Sequence, residues 1–186
     1  MSRDRNDGEP HPVRRRLLAA CAGLAGGALL ARGLHAAPRR ERHVNLLNLH
    51  TDERVRATFW ADGRFDPGAV ARIHHLLRDH RTGEQHPIDP DLLVLLDRLQ
   101  SAVGRHRDIH VVSGYRSPRT NAMLRKSSNG VAKRSLHMQG KAIDIRVPHL
   151  TTRQLFEIGK RLQGGGVGLY PESAFVHLDT GRVRYW

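Results

Sequence analysis

Two imidazoles and a carboxylate stand out as side chains that could act together. His137 and Asp144 lie in the stretch Ser135-Leu136-His137-Met138-Gln139-Gly140-Lys141-Ala142-Ile143-Asp144, and His177 follows in Phe175-Val176-His177-Leu178-Asp179. Two histidines and one carboxylate suit zinc, with the fourth tetrahedral position open for a water that a hydrolase activates. Taken singly, none of the three is informative. The chain holds 13 histidines, and any one of them is more often a surface or packing residue than a ligand.

The surrounding pattern indicates how they could meet. Ser135 to Gly140 reads as a loop, with Gly140 free to turn. From Ala142 the alternation Ala-Ile-Asp-Ile-Arg-Val predicts a strand. Its Ile143, Ile145 and Val147 face the core, and Ala142, Asp144 and Arg146 share the other face. Phe175 to Asp179 predicts a second strand, ended by a Thr180-Gly181 turn, with Phe175, His177 and Asp179 on one face. If the two strands pair, His177 lies beside Asp144 and the preceding loop delivers His137.

Charge and composition narrow the class. At 186 residues the length fits one domain large enough to bury a core. The formal charge is +13, carried mostly by Arg spread along the sequence, and aromatics are only 5%. That combination fits an anionic polymer such as peptidoglycan stems better than a base-stacking nucleic-acid surface, so no nucleic-acid partner is expected. Residues 1–37 read as a twin-arginine-type signal peptide. Arg14-Arg15-Arg16-Leu17-Leu18 precedes a Gly- and Ala-rich apolar run, with cleavage expected near Ala36 or Ala37. The run is too short and too interrupted for a retained membrane span. Cys21, the one cysteine, stands early in that run, a poor position for lipidation, and leaves with it. Residues 38–186 then form a single domain with no thiol. The expected product is exported to the periplasm, without a stable membrane anchor, and monomeric.

Three motifs in this order carry a family resemblance: Ser-x-His-x-x-Gly-x-Ala-x-Asp at 135–144, Gly114-Tyr115-Arg116-Ser117-Pro118, and Phe175-Val176-His177-Leu178-Asp179-Thr180-Gly181. The chain resembles the zinc D,D-peptidases of peptidoglycan. That group includes D-Ala-D-Ala dipeptidases and carboxypeptidases and shares a fold with lysostaphin-type enzymes and the hedgehog domain. Within it, the motifs look most like the MepK-type murein endopeptidases, over residues 44–186.

The resemblance implies an α+β fold with a small central antiparallel sheet flanked by helices and a zinc site on one sheet face. It implies Zn2+ held by His137, Asp144 and His177, with Arg116 stabilising the negative charge on the attacked carbonyl oxygen. The implied function is zinc-dependent cleavage of murein peptide crosslinks. The alternatives are a non-catalytic zinc-bearing wall-binding module and a D,D-carboxypeptidase acting on terminal D-Ala. Related peptidases place a general base as Glu three positions before the last ligand or as His five before it; Ala174 and Glu172 stand there. Asp179 is therefore the favoured catalytic acid–base residue, or else a group orienting a ligand histidine. Glu172 is the second choice.

The remaining segments supply scaffold. Val44 to His50 and Arg54 to Trp60 predict a hairpin around Thr51-Asp52-Glu53. Pro67 to His80 and Asp91 to Val103 predict helices, the first with Val70, Ile73, Leu76 and Leu77 on its apolar stripe. His74 and His75 are adjacent on a helix and diverge by about 100°, so they do not converge on one ion. Asp108 to Ser113 predicts a strand that presents Arg116 just past its end. A helix follows to about Lys126, with Ala122, Met123 and Leu124 as its apolar contacts. Lys126 to Arg134 is a basic, irregular segment beside the candidate site. Thr151 to Leu162 predicts a capped helix and Val167 to Tyr170 a strand. Val183 to Trp186 is expected to pack back on the sheet.

Overall fold

The computed structural model describes residues 41–127 and 130–186. The expected signal segment, with Cys21, and the middle of the basic Lys126–Arg134 stretch lie outside the described residues. Chain order is β1 (Arg42–Asn48), β2 (Arg54–Ala61), β3 (Arg64–Phe65), α1 (Pro67–Leu76), α2 (Pro90–Val103), β4 (Ile109–Ser113), α3 (Pro118–Ser127), a 3-10 turn (Leu136–Gln139), β5 (Ala142–Arg146), α4 (Thr152–Leu162), β6 (Gly166–Tyr170), β7 (Phe175–Asp179) and β8 (Arg184–Tyr185).

The strands form one mixed sheet in the order β3-β2-β1-β4-β5-β7-β6-β8. This corrects the expectation of a small antiparallel sheet. β1 pairs parallel with β4 and β6 parallel with β8, while the other pairs are antiparallel. Parallel neighbours need a long return path, and between β1 and β4 that path includes α1 and α2. Period-two alternation alone could not reveal it, because it fixes faces and leaves partners open.

One sheet face is packed by helices: α1 against β2, α2 against β1, and α4 against β6 and β7. Ile143, Ile145, Val176 and Leu178 point into this core together with Leu92, Leu96 and Leu99 of α2. Each such apolar side chain removed from water contributes about 1.5–3 kcal/mol. The helices start where side chains cap free backbone amides. Asp66 accepts from Gly68 and Ala69 at 2.8 and 3.1 Å, Asp89 accepts from Asp91 at 3.0 Å, and Thr151 and Gln154 form a capping box. Among the described residues no helix is long and apolar enough to cross a membrane.

α1 ends at Leu76 rather than His80, because residues 77–84 turn back on the side chain and backbone of Asp79. α3 also departs from expectation. It buries Thr120 and Asn121 and leaves Met123 48% exposed, so polar contacts to neighbouring loops seat it. Trp186 does fold back on the sheet edge, as its backbone exchanges hydrogen bonds with Val167 and Leu169 at 3.2 and 2.8 Å, yet its side chain stays 46% exposed.

Candidate metal centre

β5 is the rigid base of the site. It is hydrogen-bonded by β4 on one side and β7 on the other, and its register sets Asp144 directly opposite His177. Both side chains project from the face away from the helices. His137 arrives on the 3-10 turn, where the Ser135 hydroxyl accepts from the His137 amide at 3.4 Å. Gly140 closes that turn at φ 64°, and any Cβ there would collide with the Pro87 carbonyl oxygen. A left-handed, crowded position of this kind requires glycine.

The three side chains converge. His177 Nδ1 lies 2.9 Å from Asp144 Oδ1, and His137 Nε2 lies 3.3 Å from the same oxygen. The two ring nitrogens are 3.2 Å apart. His137 is 2% exposed and Asp144 5%. A tetrahedral ion with bonds of about 2.0–2.1 Å sets its ligand atoms about 3.3 Å apart, so the triangle has the size of one face of such a site.

The opposite edge of each imidazole is held. His137 Nδ1 lies 2.7 Å from the Gly114 carbonyl oxygen, which can only accept, so Nδ1 carries the proton and Nε2 offers a lone pair. His177 Nε2 lies 3.0 Å from Asp179 Oδ2 and Nδ1 lies 2.9 Å from Asp144 Oδ1; with a proton on Nε2, Nδ1 is the nitrogen turned towards an ion. Two ring nitrogens and a carboxylate oxygen thus face one another, and a cation is what such a donor set accommodates.

Burial opposes the charge on Asp144, but His137 and His177 outweigh it and hold the carboxyl below the usual carboxylate range. Burial likewise disfavours charge on His177, and the Asp144 and Asp179 hydrogen bonds overcome it, raising its pKa.

Arg116 borders the cluster. One terminal nitrogen lies 3.5 Å from Asp144 Oδ2 and the other 3.5 Å from Asn121 Oδ1, both long for hydrogen bonds, while the buried Nε has no partner among the described residues. Burial lowers its pKa, with Asp144 the main opposing influence. The guanidinium is therefore held but not saturated.

Its backbone is clamped by the 3-10 turn and by the Leu77–Asp79 segment, which periodicity assigns to the end of α1. Tyr115 N donates to Leu77 O at 2.7 Å, Ser117 N to Asp79 Oδ2 at 2.9 Å, and Arg116 N to His137 O at 3.2 Å. A Cβ on Gly114 would lie 2.5 Å from the Leu77 carbonyl oxygen.

A family model described as peptidoglycan L,D-endopeptidase MepK matches residues 36–186. The chain belongs to that family. The peptidoglycan L,D-endopeptidase MepK of Escherichia coli is 40% identical over 176 residues, covering 93% of this chain and 96% of the relative. The probable peptidoglycan L,D-endopeptidase MepK of Haemophilus influenzae is 40% identical over 148 residues, covering 79% and 80%. No solved structure matches the chain.

MepK-family proteins are metallopeptidases, and the His137–Asp144–His177 cluster is a group able to hold a metal ion. The converged cluster includes neither of the two carboxylates considered as bases. Asp179 is fully buried, with Arg184 at 2.7 and 3.0 Å, the Gly166 and Gly181 amides at 3.1 and 2.8 Å, and His177 at 3.0 Å. Glu172 lies in the exposed turn between β6 and β7.

Asp79 and Arg184 are the supporting residues that sequence reading missed. The turn-forming run Asp79 to Gly83 was a local signal for the first. Nothing local marks the second.

Proposed function

We propose that this chain is a zinc-dependent murein endopeptidase that hydrolyses L,D-peptide bonds in peptidoglycan crosslinks. The observation that carries the reading is the convergence of two imidazole nitrogens and one carboxylate oxygen at 2.9, 3.2 and 3.3 Å. The relatives' names supply the substrate and the bond, so the broader D,D-peptidase resemblance narrows to an L,D-cutting branch. A hedgehog-like placement of the site on one sheet face is part of the same proposal.

His137, Asp144 and His177 would hold the metal, which when bound would supply Lewis-acid activation of a water and of the peptide carbonyl. Gly114 and Asp179 fix the two imidazoles so that each turns one nitrogen inward. Asp179 has the orienting role of the two considered for it, since its oxygens are taken up by Arg184, His177 and backbone amides. Arg116, under-satisfied and half-facing the cluster, binds the carbonyl oxygen as charge builds on it. Residues 1–37 direct export by the twin-arginine route to the periplasm, where the murein lies.

The test is mass analysis of crosslinked murein digested with zinc-loaded and with chelated protein. Zinc-dependent conversion of dimers to monomers, with new ends at L,D bonds, is the expected result. Unchanged murein in both digests, with one zinc bound per chain, would replace the peptidase by a wall-binding module.

A further inference from the structure

Beyond the metal cluster, the same sheet face carries an aromatic group with no part in the reading above. Strand register sets Gly168 opposite His177 and Tyr170 opposite Phe175. Tyr170 therefore projects from the His177 face, one cross-strand pair away. Its ring stacks on Phe175 with centroids 4.6 Å apart. The Trp186 indole lies over the same face, its ring 5.4 Å from the His177 ring, with the Arg184 guanidinium 4.8 Å from its centroid. Gly168 lies beneath it, and a Cβ there would stand 2.6–2.8 Å from indole atoms.

The polar contact within this group has a direction. Trp186 Nε1 lies 3.0 Å from the Tyr170 hydroxyl. An indole nitrogen only donates, so the Tyr170 oxygen accepts and keeps its own proton to give. Among the described residues that proton has no acceptor. Tyr170 shares the sheet face of His177 and Asp144, and Arg116 borders that cluster 3.5 Å from Asp144 Oδ2. A half-exposed indole is costly to leave in water, and this one is fixed by backbone hydrogen bonds to β6 and by Arg184, which also grips the Asp179 carboxylate behind His177.

We propose that Tyr170 is a second catalytic hydrogen-bond donor, giving its hydroxyl proton's hydrogen bond to the oxygen of the scissile peptide, and that Trp186 is the positioning residue that aims it. The hydroxyl and Arg116 together receive the oxygen on which charge develops, and no bond to Tyr170 forms or breaks. Donors held in advance for such an oxygen act mainly on the transition state. The inference rests on the murein-peptidase reading.

Its test compares wild-type, Tyr170→Phe, Trp186→Phe and the double variant, all as full chains. Each is measured for metal content, thermal unfolding, turnover of crosslinked muropeptide dimers, and calorimetric binding of an uncrosslinked peptide stem whose free carboxylate mimics a product. Tyr170→Phe should keep metal content and melting temperature while kcat and kcat/KM both fall on the order of 10²-fold. Stem binding should weaken about tenfold. Trp186→Phe, which keeps a ring but loses the N–H, should show a smaller loss of the same kind, and should add nothing in the Tyr170→Phe background. Gly168→Ala, which displaces the indole, should resemble Trp186→Phe.

Wild-type kinetics and stem binding in Tyr170→Phe would overturn the proposal, as would additive losses in the double variant. Wild-type protein that binds stems without releasing monomers overturns the peptidase reading alone if Tyr170→Phe still weakens that binding. Wild-type protein that neither cleaves nor binds overturns both.

Discussion

His177 is held between two carboxylates: its Nδ1 lies 2.9 Å from Asp144 and its Nε2 3.0 Å from Asp179. The first belongs to the cluster and the second lies behind it, locked to Arg184. This arrangement separates the two roles available to Asp179. Asp179→Asn should weaken metal binding about 10–100-fold, with activity recovering as metal is raised. Turnover measured across a metal titration checks this. Activity lost at saturating metal, with affinity unchanged, would make Asp179 the base instead.

Arg116 should act on the reaction and not on the metal. Its contacts at 3.5 Å are long and its Nε is unpartnered, so little of the fold depends on it. Arg116→Ala is expected to retain a full complement of metal while kcat falls on the order of 10²–10³-fold. Paired metal analysis and murein turnover decide it, and equal loss of both would assign Arg116 a structural role.

Gly114→Ala tests the clamp. The new Cβ would meet the Leu77 carbonyl oxygen at 2.5 Å, and relief by the Gly114 backbone shifts the carbonyl that accepts from His137. We expect destabilisation of about 1–3 kcal/mol, accompanied by weaker metal binding. A stable variant that loses no metal affinity would show that the Gly114 carbonyl does not orient His137.

Asp79 links stability to pH. Burial alone would raise its pKa, but hydrogen bonds from Thr120, Ser117 and the Ser117 and Arg81 amides outweigh it and hold the carboxyl well below the ordinary value. A depressed folded-state pKa gives stability that is fully present above the unfolded value, about 3.9, and is lost as pH falls through the folded one. Asp79→Asn should therefore cost about 1–3 kcal/mol at pH 7, with the gap to wild type closing in acid. Denaturant midpoints at neutral and acidic pH measure it; a constant gap would remove Asp79 from the acid response.

Metal should stabilise the fold, because an ion held by the converged triangle would have no such site on the unfolded chain. Metal at a hundred times its dissociation constant adds about 2.7 kcal/mol. For a domain of this size that corresponds to a rise in melting temperature of roughly 5–10 °C. Melting scans with zinc and with chelator test it, and coincident curves would show that the cluster holds no ion in the folded state.

The sequence by itself determined local facts. Alternation in Ala142–Arg146 and Phe175–Asp179 placed Asp144, His177 and Asp179 on one face, because successive strand side chains point opposite ways. Caps and periodicity located the helices, and three ordered motifs pointed to the family. Tertiary structure decided what depended on partners distant in the chain. The mixed sheet follows from which strands pair. The exposure of Met123 follows from what α3 rests on. Asp79 reaches Ser117 across 38 positions, and the Trp186 indole reaches the Tyr170 hydroxyl across 16. Asp179 looked like a free carboxylate beside His177 until Arg184 was seen to occupy it. Periodicity assigns a side chain to a face, but only packing fixes what meets it there, and at this site those meetings set which atoms remain free to act.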